Sequence, residues 1–312
     1  MDSGRDTRGL LDLIIARIPR LKPRSRVYLC RKFNNESDFT GLKPHDIEMI
    51  CAEYGGKTAG RKLSDDTKRW SMDSVVSRAE KDAALMERRG IRWVSITETA
   101  YPPLLREIYD PPAALFYRGN LPPPEKTALA IVGTRKSCAA ALRWAYETAR
   151  ELSRAGVPVV SGLALGIDAM AHRGVVDAGA VPTFAVLGSS VDEVYPVSNR
   201  ALARRIMAEG GALLSEYPPE TGPARWHYPA RNRIISGLCA ATIVVEAGEK
   251  SGALITADFA LEQNRDLYVA GGAEDSGFKE NVFGAGCERL AEDGAKVVHN
   301  SLDILAFLGL EI

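Results

Sequence analysis

The sequence predicts an α/β fold: a doubly wound, mostly parallel sheet preceded by a small helical domain. Three observations predict it. From residue 128 onward, short apolar runs alternate with stretches of helical length, the pattern of repeated β-α units. The strand runs (ALAIVG, VPVVSG, PTFAVLG, TIVV) are continuously apolar, as strands covered on both faces are. Before about residue 95 the chain reads instead as short helices separated by Gly and Pro turns. The expected domains are therefore residues 1–95, helical, and 96–312, α/β.

The helical part begins with GLLDLIIARIP, apolar at helical spacing and stopped by Pro19. KPRSRVYLCRKF is a short basic amphipathic segment. KPHDIEMICAEYGG has Pro near its start and Gly-Gly after its end, the usual helix asymmetry. TKRWSMDSVVSRAEKDAALMERRG is a longer helix ending at Gly90. Such a bundle serves packing, a protein partner or nucleic acid, and the sequence leaves these open.

IRWVSI reads as a short strand. The Pro- and aromatic-rich segment TETAYPPLLREIYDPPAALFYRGNLPPPEK follows. It is too apolar for a free linker, so its extended pieces wrap the rest of the protein. The α/β series comes next: strand ALAIVG, helix SCAAALRWAYETARELSRAG, strand VPVVSG, helix GIDAMAHRGVVDAG, strand PTFAVLG and helix SNRALARRIMAEGG. It ends with strand ALLSEY, helix HYPARNRIISG, strand TIVV, helix ALITADFALEQ, strand RDLYVAGG and a last strand at KVVHN.

Charge narrows the function classes. The net charge is zero, but residues 1–99 carry 20 Lys and Arg against 15 Asp and Glu, and residues 100–312 carry 20 against 25. A protein that binds polyanions through bulk charge is basic overall, so any such binding here needs a local cluster. Residues 200–233 supply one in Arg200, Arg204, Arg205, Arg225, Arg231 and Arg233. The five cysteines form no CxxC and indicate neither disulfides nor zinc. No apolar run of about 18 residues or more suggests a membrane span, and MDSGRDTRGL has no signal-peptide core. A cytoplasmic protein without a cofactor or metal is expected.

Four strand-to-helix loops carry the candidate chemistry, because ligands in open α/β sheets bind beyond the carboxyl ends of strands. In IVGTRKS, Gly133 permits the turn, Thr134 offers a hydroxyl and Arg135 a guanidinium fork. VVSGLALGIDAMAH contributes Ser161 and Gly162. Its Asp168 and His172, four apart, read as a helix-start carboxylate and a packed histidine in preference to a metal or acid–base pair. LGSSVDEVYPVSN is the third loop and LLSEYPPETGPARWHYPARNR the fourth, carrying Arg225, Tyr228, Arg231, Asn232 and Arg233. Ser251 can cap the helix after EAGEKSG, whose N-terminal N–H groups suit an anion. Forks, an amide, a ring and an anion-ready helix end together suggest a phosphate-bearing ligand with stackable bases. None of the loops is G-x-G-x-x-G or a Walker loop.

The succession IVGTRKS, VVSGLALGIDAMAHRG, VLGSSVDEVYPVSN, LLSEYPP and HYPARNRIISGLCAATIVVEAGEKSGALITADFA, over about residues 100–270, closely resembles the DNA-processing protein A family, also called Smf. The resemblance implies an extended Rossmann-like domain that binds single-stranded DNA, dimerises and loads the RecA recombinase in natural transformation, without catalysis. It likens the N-terminal helices to a sterile-alpha-motif-like domain. It assigns the DNA pocket to Arg135, Arg225 and Tyr228, lined or shaped by Gly133, Thr134, Ser161, Gly162, Arg231, Asn232, Arg233 and Ser251. Departures from the family pattern are Tyr228 for the usual Phe, Arg225 for the usual Lys, and a poor match over SGFKENVFGAGCERLAEDGAKVV. The chain stops at Ile312, which leaves no room for the winged-helix-like domain many members carry. The rival reading is a nucleoside-monophosphate phosphoribohydrolase-like enzyme with Glu246 as acid/base. Glu246 reads better as a carboxylate that pairs with an Arg or accepts loop N–H groups.

Overall fold

The short β-branched runs become strands and the longer amphipathic ones helices, as the periodicity requires. The computed structural model describes residue 8 and residues 10–55, 70–272 and 282–309. Residues 67–69 of the expected TKRWSM helix, residues 276–281 of SGFKENVFG, and the start of the chain before Arg8 lie outside the described residues. The chain divides into two compact units, one of residues 1–101 and 109–116 and one of residues 102–108 and 117–312.

The smaller unit holds helices α1 (Leu11–Arg17), α2 (Pro23–Lys32), α3 (Glu36–Thr40), α4 (Pro44–Gly55) and α5 (Met72–Arg89). Pro19 ends α1 by holding Ile18 extended, at φ −62° and ψ 123°. A reciprocal Ser71–Ser74 capping box starts α5, and Gly90 at φ +61° ends it. Asp82 on α5 is buried but ion-paired with Arg17 and Arg78, which offsets the cost of its burial. Strand β1 (Arg92–Ser95) completes the unit beside the first half of β2 (Ala114–Gly119), where Ile96 N–H donates to the Ala113 carbonyl at 2.9 Å.

The larger unit is the α/β part. Its strands are β3 (Leu129–Val132), β4 (Val159–Ser161), β5 (Thr183–Val186), β6 (Ala212–Ser215), β7 (Ala241–Val244), β8 (Asp266–Ala270) and β9 (Lys296–Val298). They lie in the order β6-β5-β4-β3-β7-β8-β9, and every registered pair is parallel. Order grows outward from β3 through β4 and β5, then restarts on its other side at β7. The switch point therefore lies between β3 and β7, which pair over four residues from Leu129↔Ala241 to Val132↔Val244.

Residues Leu129, Ile131, Val159 and Ile243 turn one sheet face onto α7 (Ala139–Arg154) and α8 (Ile167–Ala178). These helices approach so closely that a Cβ on Gly174 would sit 2.2 Å from the Tyr146 carbonyl oxygen, a reason for glycine inside a helix. Helix α9 (Arg200–Ala208) packs on β5 and β6, while α10 (His227–Gly237) and α11 (Gly252–Glu262) pack on each other, α11 against β7 and β8. Four helices were not expected: α3, α6 (Pro103–Glu107) in the Pro-rich segment, α12 (Ala285–Glu292) and α13 (Ser301–Phe307). Among the described residues no helix is long and apolar enough to cross a membrane.

Candidate functional site

At the carboxyl ends of β3 and β7 the larger unit opens into a crevice of about 850 Å³. Each wall comes from an element whose start or stop was legible. The loop after β3 brings Gly133, Thr134, Arg135 and Lys136; the segment into α10 brings Arg225, Tyr228, Arg231 and Asn232; the start of α11 brings Ser251 and Gly252. Ser251 Oγ caps α11 by accepting from Ala253 N–H at 3.3 Å. The α11 N-terminus therefore faces the crevice with its positive dipole end.

Arg135 and Tyr228 are joined directly. The exposed guanidinium lies 5.2 Å from the Tyr228 ring centroid, a cation–π pair. Gly188 lets the ring settle, since a Cβ there would meet Tyr228 Cδ1 at 2.9 Å. Tyr195 stands opposite, half-exposed and lining the crevice, its centroid 6.4 Å from that of Tyr228. Tyr195 is not among the residues the sequence assigns to the site, although its loop, LGSSVDEVYPVSN, follows a strand's carboxyl end and so holds the signal.

Arg231 and Arg233 behave differently from the fork pair expected of them. Arg231 is 4% exposed, and its Nη1 donates to the carbonyl of Val186 at the end of β5. Gly162 makes room for it, because a Cβ there would overlap the guanidinium at 2.1 Å. Arg231 reaches the crevice wall from within the fold. Arg233 does not line the crevice: it is 2% exposed, donates to Glu216 at 2.7 Å and to the Ala230 carbonyl at 2.9 Å. Being every second residue on a helix, the two cannot share a face. Ser161 is also turned inward, its hydroxyl donating to the Ile131 carbonyl at 2.6 Å and tying β4 to β3. Asn232 donates to the Gly252 carbonyl at 3.2 Å and fixes α10 against the start of α11. Thr134 holds the loop, its N–H donating to the Glu246 carbonyl at 2.8 Å.

The arginine cluster of residues 200–233 is thus dispersed. Arg225 lines the crevice, Arg205 pairs with Asp177 at 2.7 Å, and Arg200 and Arg204 are exposed on α9. Glu246 accepts from the Ser137 hydroxyl at 2.5 Å and the Cys138 N–H at 2.9 Å. Its carboxylate binds loop donors, as the second of its two readings held.

Asp168 accepts from the N–H groups of Gly162 and Ala164 at 3.2 and 3.4 Å. Burial pushes its carboxyl up, with Arg231 and those N–H groups opposing the shift. His172 is fully buried; its Nδ1 meets Thr183 Oγ1 at 2.8 Å, and that hydroxyl donates to the Val159 carbonyl at 2.6 Å. Thr183 Oγ1 therefore accepts from Nδ1–H. Burial, aided by Arg231, brings the His172 pKa down to about 3. Among the described residues no group of three or more His, Cys, Asp or Glu could hold a metal ion.

A pH dependence follows. A depressed histidine contributes stability that is complete above its unfolded pKa near 6.5 and is lost as pH falls toward about 3. Stability should fall by up to about 1.4 kcal/mol per pH unit in that window. Urea midpoints measured between pH 7 and 5.5 should drop in the parent and stay flatter in His172→Gln. Equal slopes in both would show that His172 is not the group responsible.

Three comparisons with known proteins agree. The profile of a family described as DNA recombination-mediator protein A matches residues 92–309. The DNA processing protein DprA of Bacillus subtilis (strain 168) is 40% identical over 222 residues, 71% of this chain and 72% of that protein. The X-ray structure of DNA processing protein A from Streptococcus pneumoniae is similar at a TM-score of 0.66 and 33% identity, covering 92% of this chain and 98% of that one. A structure of DNA processing protein A from Helicobacter pylori, described as giving insight into its single-stranded DNA binding mode, matches at a TM-score of 0.58 and 26% identity. It covers 70% of this chain and 95% of that one.

Proposed function

Because the chain belongs to the DNA recombination-mediator protein A family, we propose that its crevice binds single-stranded DNA with little sequence preference. The observation that carries the reading is the Arg135–Tyr228 pair beside the α11 N-terminus. A guanidinium and a helix N-terminus take phosphates, and a ring with an open approach takes a base. Duplex DNA presents phosphates but keeps its bases stacked inside, so it uses only half of these groups. The Helicobacter pylori relative, whose single-stranded DNA binding mode has been described, supports the same assignment.

Within the site, Arg135, Arg225 and Tyr228 meet the strand, with Gly133, Ser251 and the exposed part of Arg231 at its edges. Tyr195 joins them as a second ring. Ser161, Gly162 and Arg233 build the site from behind, while Thr134 and Asn232 line it and hold its loops together. The protein acts as a homodimer in the cytoplasm and hands the strand to a RecA-type recombinase, with no chemical turnover of the DNA. Residues 96–312 carry this activity, and residues 1–95 form an accessory helical module.

The test is a titration with single-stranded oligonucleotide, duplex and mononucleotide at equal phosphate content. Single strand should bind tightest, and its affinity should fall steeply with salt. Equal affinity for duplex, or release of free base from the mononucleotide, would overturn the proposal.

A further inference from the structure

The smaller unit carries a row of cations and rings, built from none of the crevice residues. Arg24, Tyr28 and Lys32 are spaced four apart on α2 and so share one stripe of that helix. Tyr54, near the end of α4, stacks on Tyr28 with centroids 4.2 Å apart and planes 12° apart. The Arg24 guanidinium lies 5.8 Å from the Tyr54 ring and 4.2 Å from the Tyr109 ring, and it donates to the Tyr109 hydroxyl at 2.5 Å. Lys32 Nζ is 5.6 Å from the Tyr28 ring. The row therefore reads Lys32, Tyr28, Tyr54, Arg24, Tyr109.

We propose that this row is a second binding surface for single-stranded nucleic acid. Three observations support it. Tyr54 and Tyr109 are 45% and 75% exposed, whereas rings that only pin helices together gain most when covered. Arg24 is held between two rings with its own surface open to solvent, so it is preorganised for a phosphate. Residues 1–99 also carry the cationic excess of the chain, although Glu53 and Asp110 adjoin two of the rings. A single strand presents both phosphates and base faces, which matches a row that sets cations beside exposed rings. An acidic peptide would use the cations alone, and a duplex would hide its bases.

The test uses the full chain with the crevice disabled by Arg135→Ala and Tyr228→Ala. This chain should still retain an oligothymidine of about 30 nucleotides at low salt. Photocrosslinking with a 4-thiothymidine oligonucleotide should label Tyr54 or Tyr109. Adding Tyr54→Ser and Tyr109→Ser should weaken the residual affinity about five-fold or more and leave heparin binding unchanged, while the two Tyr→Phe changes keep it. Both positions are exposed, and matching melting curves confirm that the fold survives. Absence of residual binding, indifference to the Tyr→Ser changes, or equal loss for heparin would each overturn the proposal. Failure of the crevice reading is visible separately: Arg135→Ala and Tyr228→Ala would then leave affinity for a short oligonucleotide unchanged.

Discussion

Removing the carboxylate of Glu216 should destabilise the protein by about 3–5 kcal/mol, the range for breaking a buried ion pair by deleting one partner. Its partner, the Arg233 side chain, is 3% exposed, and Glu216 itself is only 14% exposed. The 2.7 Å contact joins the end of β6 to the middle of α10. In Glu216→Ala the guanidinium keeps its bond to the Ala230 carbonyl but loses the Glu216 carboxylate, with little water available to replace it. Replacing both partners by apolar residues, as in Glu216→Leu with Arg233→Met, should lie closer to the parent than Glu216→Ala does, because no charge is then stranded. Urea denaturation of the three proteins reads this directly. If Glu216→Ala unfolds within about 1 kcal/mol of the parent, the pair is not structural and Arg233 returns as a candidate DNA ligand. A structural Arg233 also makes no contribution to the salt dependence of DNA binding.

Tyr228→Ala should weaken single-stranded DNA binding by about 1–3 kcal/mol, the worth of a base stacked on an aromatic ring. Arg135→Ala should remove one phosphate contact and lower the salt slope by about 0.7. The structure couples two effects that the sequence would treat as separate. Because the guanidinium rests 5.2 Å from the ring, losing Tyr228 also releases Arg135 from its position, at a cost of about 0.5–1 kcal/mol. The double variant should therefore lose less than the two single losses combined. Tyr228→Phe should bind almost like the parent, since the ring face does the stacking. Full additivity in the cycle, or no weakening by either change, would remove the pair from the site.

Much of this protein was legible before any coordinates. Strands such as LAIV and TIVV are short, apolar and β-branched, and α7, α8 and α11 follow them at helical spacing. These are local signals, set by side-chain volume, backbone propensity and capping residues such as Ser251. The loops at the strands' carboxyl ends, where ligands meet open α/β sheets, bring Arg135, Arg225 and Tyr228 to one crevice. The unexpected helices α3, α6, α12 and α13 are each eight residues or fewer, which gives a period of 3.6 few turns in which to show.

By itself, the sequence determined the element order, the parallel α/β class and the loops at the strands' carboxyl ends, because each depends on neighbours along the chain. Tertiary structure alone decided which of those loop residues face the crevice. Arg231 and Arg233 look equivalent in the run ARNR, yet one reaches the crevice from beneath and the other is held by Glu216, seventeen residues away. Ser161 looks like a hydroxyl offered to a ligand, yet it donates to a carbonyl on β3, thirty residues earlier. The physical reason is that a polar group taken out of water must find a partner, and the partner is chosen by packing between distant segments. Residue type announces what a side chain can bind; only the assembled fold fixes whether it binds a ligand or the protein itself.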